Sequence, residues 1–151
     1  MIPLQAPGLD PLTLAQLPKF NRSVSLISWG LDEEILLEDF LDRCFSLLAE
    51  CVEDFEVVFV DDGSTDRTPD ILKVYVAKEP RLKIITNEVN LNVGQSSRRA
   101  IAAATKEIVF WQTVDWSYDI RNLRIFLELT NHFNVVQGVR PLPIRFAGSA
   151  S

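Results

Sequence analysis

The chain reads as an α/β domain: an open, mostly parallel sheet with alternating helices on both faces. Three observations predict it. From Val24 onward, short apolar runs alternate with helix-period segments, a pattern that gives parallel strands joined by right-handed crossovers. Phe55 to Val60 is apolar apart from Glu56, as a strand buried on both faces requires. That run stops at Asp61-Asp62-Gly63. Two carboxylates therefore sit where a buried strand leaves the core, the edge at which open α/β sheets bind ligands.

The elements follow in order. Residues 1–22 hold Pro3, Pro7, Pro11 and Pro18 and read as an irregular leader. Val24 to Ser28 is a short apolar strand. Asp32 is placed to cap a helix from Glu33 to Cys51, where Ile35, Leu41, Cys44, Leu48 and Cys51 keep helical spacing. After the second strand, Gly63, Ser64 and Asp66 are turn formers. Thr68 then serves as N-cap, with Pro69 in the first helical position and Asp70 favourable against the dipole, of a helix ending at Lys78. Leu82 to Ile85 is a third strand and the alanine-rich Gln95 to Thr105 a third helix. Ile108 to Thr113 is a fourth strand and Ile120 to Leu129 a fourth helix. Asn134 to Gln137 completes the pattern as a short fifth strand closed by Gly138. This order puts the ends of strands one, two and four, and with them Trp29, Asp61, Asp62 and Asp115, on one edge of the sheet.

Composition narrows the function. The chain has 151 residues, 47% apolar and 24% charged, enough for one domain that buries roughly 70% of its unfolded surface. A net charge of −6, without a basic cluster, argues against a nucleic-acid surface. No apolar run approaches the roughly 20 residues of a membrane span, and the first residues lack the pattern of a secretory signal. Cys44 and Cys51 lie about 10 Å apart along one helix face at 1.5 Å per residue. They cannot bridge without distortion and read as core residues of a reducing compartment. His132, the single histidine, reads as a surface or helix-end residue. No Gly-x-Gly-x-x-Gly lies between a strand and a helix, and no Gly-Lys-Ser/Thr is present, so a dinucleotide fold is unsupported and a P-loop excluded. A phosphorelay receiver would need its acidic pair after the first strand and a lysine after the last. Here the pair follows the second strand, and Gly138 and Arg140 follow the fifth.

Asp61 and Asp62 have two readings: turn formers, or ligand-binding carboxylates. The longer string Val60-Asp-Asp-Gly-Ser-Thr-Asp66 resembles the signature of family 2 glycosyltransferases, whose nucleotide-sugar-binding half has the Rossmann-like GT-A fold. Further matches run in order along residues 23–140. Asp32-Glu33-Glu34 resembles the family's Asn-Glu-Glu, although Trp29-Gly30-Leu31 replaces the usual Pro-x-Tyr. Asn92-Val-Gly94 resembles its Asn-x-Gly, followed by Arg98-Arg99-Ala100. Asp115 falls at the Asp-x-Asp, and Val135 to Arg140 resembles the Val-x-Gly-x-Arg that follows.

The resemblance implies a nucleotide-sugar-binding domain over 23–140 and a truncated tail over 141–151. It implies donor contacts from Glu33, Asp61, Asp62, Gly94 and Arg98. It also implies Mg²⁺ or Mn²⁺ at Asp115, weakened because Ser117 stands where the second aspartate would be. Asp119 is either a substitute ligand or the N-cap of the next helix. Trp116 and Tyr118 either cover a sugar or bury a loop. The helix after Gly94 either offers N–H groups to a donor oxygen or simply begins there. The donor would be UDP- or GDP-linked, the acceptor a hydroxyl of a glycan or a polyprenyl phosphate, and the transfer inverting. The protein would be cytoplasmic or at the inner face of the membrane. No nucleic acid is implied. The acceptor site and general base would lie beyond residue 151. An incomplete sheet predicts an open edge and self-association. A donor-binding module without turnover is the alternative.

Overall fold

The structure, a computed structural model, describes residues 16–117 and 119–139. The first fifteen residues of the leader, Tyr118, Arg140 and the tail from 141 lie outside the described residues. Four strands, β1 (Val24–Gly30), β2 (Phe55–Asp61), β3 (Leu82–Thr86) and β4 (Ile108–Trp111), form one sheet in the order β3-β2-β1-β4. Every pairing is parallel, with Gly30 opposite Asp61 and Asp61 opposite Thr86. Helices α1 (Leu37–Cys51), α2 (Thr68–Lys78), α3 (Asn92–Ala103) and α4 (Leu123–Leu129) fill the connections.

The two faces are covered unequally. Leu26, Val57, Phe59 and Leu82 point to the side packed by Phe40, Leu41 and Leu48 of α1, Leu72 of α2, and Leu123 and Leu127 of α4. Burying each such side chain contributes roughly 1.5–3 kcal/mol. On the other face Ile27, Val58 and Val60 meet Ala100 of α3, with Ala103 and Ala104 beside it. The alanines let this helix approach the strands closely, which leaves a smaller core. Cys44 and Cys51 are both buried and free. Burial pushes both thiols up, Cys51 to about 11, so they serve as small apolar residues.

Several boundaries differ from the sequence pattern. Packing on the core reaches back before residue 23: Phe20 is 3% exposed and forms a parallel bridge with Val52. Arg22 pairs with Glu107 at 2.8 Å and donates to the Thr130 carbonyl at 3.0 Å. Helix α1 begins at Leu37 because residues 31–36 make a turn closed by Leu36 and Leu37 N–H groups on the Glu33 carbonyl. Asp32 is therefore not its cap. Thr68 is the first residue of α2, with Arg67 at the N-cap position. The expected fifth strand is absent: 134–137 is irregular. Val135 there is 84% exposed, so its apolar pattern meets no sheet face. His132 is exposed, just after α4.

Candidate functional site

The loop after β1 and the turn after β2 are built as one unit. Asp32 adopts φ 55°, a left-handed conformation that aspartate tolerates better than most residues. Its N–H donates to Ser64 Oγ at 2.9 Å, and its Oδ1 accepts from the Thr65 N–H at 2.7 Å and the Asp66 N–H at 3.3 Å. The Glu33 N–H donates to Thr68 Oγ1 at 2.8 Å and the Glu34 N–H to Asp66 Oδ2 at 3.0 Å. Glu34 Oε2 accepts in turn from the Arg67 N–H at 3.0 Å. These reciprocal bonds use Asp32, Glu34 and Asp66 to hold backbone. Burial disfavours the Asp66 charge, but bonds from Thr68 and Glu34 outweigh it and hold the carboxyl below its ordinary value. Of the acids in the two loops, Glu33, Asp61 and Asp62 are left with other work.

Asp61 and Asp62 face different surroundings. Asp61 is 1% exposed; its Oδ1 accepts the Ser64 N–H at 3.0 Å, and its carbonyl accepts the Asn87 N–H at 2.8 Å. Asp62 Oδ1 accepts from Asn87 Nδ2 at 2.7 Å and from the Leu91 N–H at 2.8 Å. Asn87 Nδ2 also donates to Ser96 Oγ at 2.9 Å, and Arg99 Nη1 donates to Asn87 Oδ1. Burial works against the Asp62 charge, yet the Leu91, Asn87 and Ser96 bonds hold its carboxyl below the usual range. The sequence reading missed Asn87 and Ser96 because neither lies in a strand-end acidic motif. The family pattern points to Arg98, but Arg98 and Arg99 are both exposed and it is Arg99 whose guanidinium bonds to Asn87. The signal for Arg99 was the helical spacing that puts 96 and 99 on one face. Gly94 lies in the first turn of α3 with open space around its Cα.

On the far side of β1, Asp115 is exposed. Its Oδ2 accepts the Ser117 hydroxyl at 2.7 Å and its Oδ1 the Ser117 N–H at 3.0 Å. Those donors, the hydroxyl first, hold the Asp115 carboxyl down, so it stays ionised. Asp119 turns to its own chain: Oδ1 accepts the Arg121 N–H at 3.0 Å, and Arg121 Nη2 pairs with Oδ2 at 2.8 Å. It caps the 3-10 turn at Ile120–Asn122. Trp116 packs on Phe40 at 5.3 Å between ring centroids, and Arg43 lies over its ring, so this ring buries the loop. Glu33 completes the edge. Its side chain folds over Gly30, where an added Cβ would lie 2.6 Å from Glu33 Cγ. Burial, then the charges of Asp115, Asp66 and Asp32, raise its carboxyl above the ordinary value. Among the described residues no three His, Cys, Asp or Glu side chains are arranged to hold a metal ion.

The edge thus carries carboxyl groups on both sides of β1, with Asp61 buried at the end of β2. The model of the family described as Glycosyl transferase family 2 matches residues 32–145, which include every one of these groups. The chain belongs to glycosyl transferase family 2. A putative glycosyltransferase EpsH of Bacillus subtilis is 35% identical over 81 residues, 52% of this chain and 23% of that protein. An undecaprenyl-phosphate 4-deoxy-4-formamido-L-arabinose transferase of Photorhabdus laumondii is 32% identical over 87 residues, 58% of this chain and 26% of that protein. The chain therefore spans about a quarter of the length of these curated relatives. Among solved structures, a mannosyltransferase from Pyrobaculum calidifontis, in complex with GDP-Man and Mn²⁺, superimposes with a TM-score of 0.60 at 22% identity. The match covers 77% of this chain and 36% of that one, and it shows the shared glycosyltransferase fold.

Proposed function

We propose that this family 2 domain binds the nucleotide-sugar donor of a glycosyl transfer, with Asp61 and Glu33 toward the nucleoside and Asp115 toward the diphosphate. The observation that carries the reading is the placement of Asp61: a carboxylate 1% exposed at the end of the central strand β2, accepting one local N–H. Base and ribose supply N–H and O–H donors that such an acceptor takes. A hydrogen bond to a charged acceptor is worth roughly 1.5–3 kcal/mol, so Asp61→Asn should weaken nucleotide binding about ten- to a hundredfold.

Asp115 suits a hard divalent cation, Mg²⁺ or Mn²⁺: it is exposed, ionised and bears oxygen ligands only. Such sites use one or two carboxylates together with substrate phosphates. When bound there, the cation neutralises the diphosphate and its developing charge. The Ser117 bonds orient the Asp115 carboxylate for that contact. Glu33, folded over Gly30 and repelled by Asp115, gains from any cation or donor N–H placed between them. The sugar would pass, with inversion, to a hydroxyl or a lipid phosphate; the Photorhabdus relative's name is the support for a polyprenyl-phosphate acceptor. No helix among the described residues is long and apolar enough to cross a membrane, so work on a lipid acceptor at the inner face of the membrane would draw on peripheral contact or further segments.

A donor-binding module without turnover is the second reading. Calorimetric titration with UDP and GDP, each with and without Mn²⁺, tests the donor site common to both. Metal-dependent binding, lost in Asp61→Asn and Asp115→Asn, is the expected result. A folded chain that binds neither nucleotide would overturn the donor site. Donor consumption in the presence of acceptor separates enzyme from module.

A further inference from the structure

Asp62 faces away from the open edge. It is 5% exposed, and one oxygen, Oδ1, takes both the Asn87 side chain and the Leu91 N–H. Asn87 is 2% exposed and its amide is fully oriented: Nδ2 donates to Asp62 and to Ser96 Oγ, while Oδ1 accepts from Arg99. A buried carboxylate and a guanidinium thus meet through one amide. The loop between them is also held by shape. Gly63 has φ 82°, and a Cβ there would lie 2.7 Å from the Val89 carbonyl carbon and 2.9 Å from the Asn90 nitrogen. The backbone after β3 is therefore pressed against the turn after β2, directly beside Asp61.

We propose that Asp62 is a positioning residue. With Asn87 and Ser96 it latches the 87–91 loop and the first turns of α3 to the end of β2, and so sets the wall of the nucleoside pocket next to Asp61. The inference rests on the donor site proposed above and assigns Asp62 a role within it other than ligand contact. The chemistry follows from the donor count. Two donors converge on Oδ1, and the Ser96 side chain and the Asn92 N–H also bond to the carboxylate. Asparagine at 62 can keep both Oδ1 bonds through its carbonyl and turn its amide to the Ser96 hydroxyl, which accepts as well as donates, whereas alanine leaves a buried N–H and a buried amide unsatisfied. Ser96 is 0% exposed and bonds to both Asn87 and Asp62, so it reaches a ligand only through them.

The test pairs two measurements on the whole chain: hydrogen exchange, and calorimetric binding of UDP and GDP with Mn²⁺. Asp62→Ala should speed exchange of the Leu91 amide and weaken binding of the preferred nucleotide about tenfold or more, since small misplacement of a pocket wall is costly. Asp62→Asn should keep protection at Leu91 and stay within about threefold of the parent affinity. Ser96→Ala, the milder variant if Asp62→Ala does not fold, should weaken binding about threefold without any group leaving the pocket. Loss of Leu91 protection with nucleotide affinity unchanged in both variants would overturn the positioning role while leaving the donor site standing. An Asp62→Asn chain as weak as Asp62→Ala would also overturn it, since charge at 62, not the latch, would then matter. Failure of the parent chain to bind either nucleotide would remove the donor site itself, and this proposal with it.

Discussion

The two edges of the sheet treat one acid each in opposite ways: Glu56 near the start of β2, and Glu33 in the loop after β1. At the start, Glu56 is 4% exposed and satisfied on every side. Ser25 Oγ donates at 2.7 Å, the Thr105 N–H at 2.7 Å, the Thr105 hydroxyl at 2.9 Å, and Lys83 Nζ pairs at 2.7 Å. Burial alone would raise its carboxyl, but the Lys83, Ser25 and Thr105 bonds outweigh it and carry it down to about 2. At the far end, beside Asp61, Glu33 meets carboxylates in place of donors, and its carboxyl moves up. One edge is a closed electrostatic unit that joins β1, β2, β3 and the residues after α3. At the other, Glu33 lies among the charges of Asp115, Asp66 and Asp32, and no described lysine or arginine pairs with it. An edge of that second kind is stabilised by what binds to it, a cation or a ligand rich in N–H groups.

Removing Glu56 should give the largest effect, and on stability alone. Glu56→Ala leaves Ser25, Thr105 and Lys83 without their acceptor. Because Lys83 is half-exposed and screened, a loss of about 3 kcal/mol is expected in denaturant unfolding, the lower end for breaking a buried pair. Since the folded value lies near 2 and the ordinary value is 4.5, this contribution is complete above pH 4.5 and is lost as pH falls toward 2. Nucleotide affinity of the folded fraction should not change. A drop in affinity comparable to that of Asp61→Asn would break the division between the two edges.

Ser117→Asp sharpens the comparison from the other side. It adds a carboxylate at the edge already short of positive charge and removes the hydroxyl that donates to Asp115. Without metal, repulsion should weaken nucleotide binding. With Mn²⁺, binding should tighten about three- to tenfold, because affinity for a hard cation rises with ligand charge. Titrations at fixed nucleotide and varied Mn²⁺ read this directly, and equal effects with and without metal would argue against cation binding at Asp115.

The two edges also differ in how far the sequence exposed them. The strand order, the buried β2 and the acidic strand ends were legible because each depends on local pattern: an apolar run, a turn glycine, a helical period. Glu56 looked like a blemish in an apolar strand, since its partners Ser25, Lys83 and Thr105 come from three other segments. Asp32 and Thr68 looked like helix caps, and both residue types favour caps. Here they bond to each other's loops across more than thirty residues, a long-range partnership that outcompetes the local one. Asn87 and Ser96 were missed for the same reason: their importance lies in what reaches them. The irregular 134–137 segment shows the reverse, a strand-like pattern that joins no sheet.

Glu33→Gln should have the smallest effect and the most telling sign. Glu33 is raised by burial and by Asp115, Asp66 and Asp32, so its ionised form is disfavoured in the folded chain. Below pH 4.5, its ordinary value, the group is protonated in folded and unfolded chains alike and costs nothing. As pH rises through the higher folded value, ionisation in the unfolded chain outruns that in the folded one, and stability falls. Glutamine removes that cost while keeping the shape that covers Gly30. The variant should therefore match the parent in acid and exceed it at neutral pH. After discount for solvent screening of a half-exposed group, the gain is a few tenths of a kcal/mol, measurable by thermal unfolding across a pH series. Mn²⁺ and nucleotide should shrink the gain, because a cation near Asp115 offsets the same repulsion. A variant less stable than the parent at neutral pH would mean that Glu33 is held by donors, like Glu56, and that the two edges are alike after all.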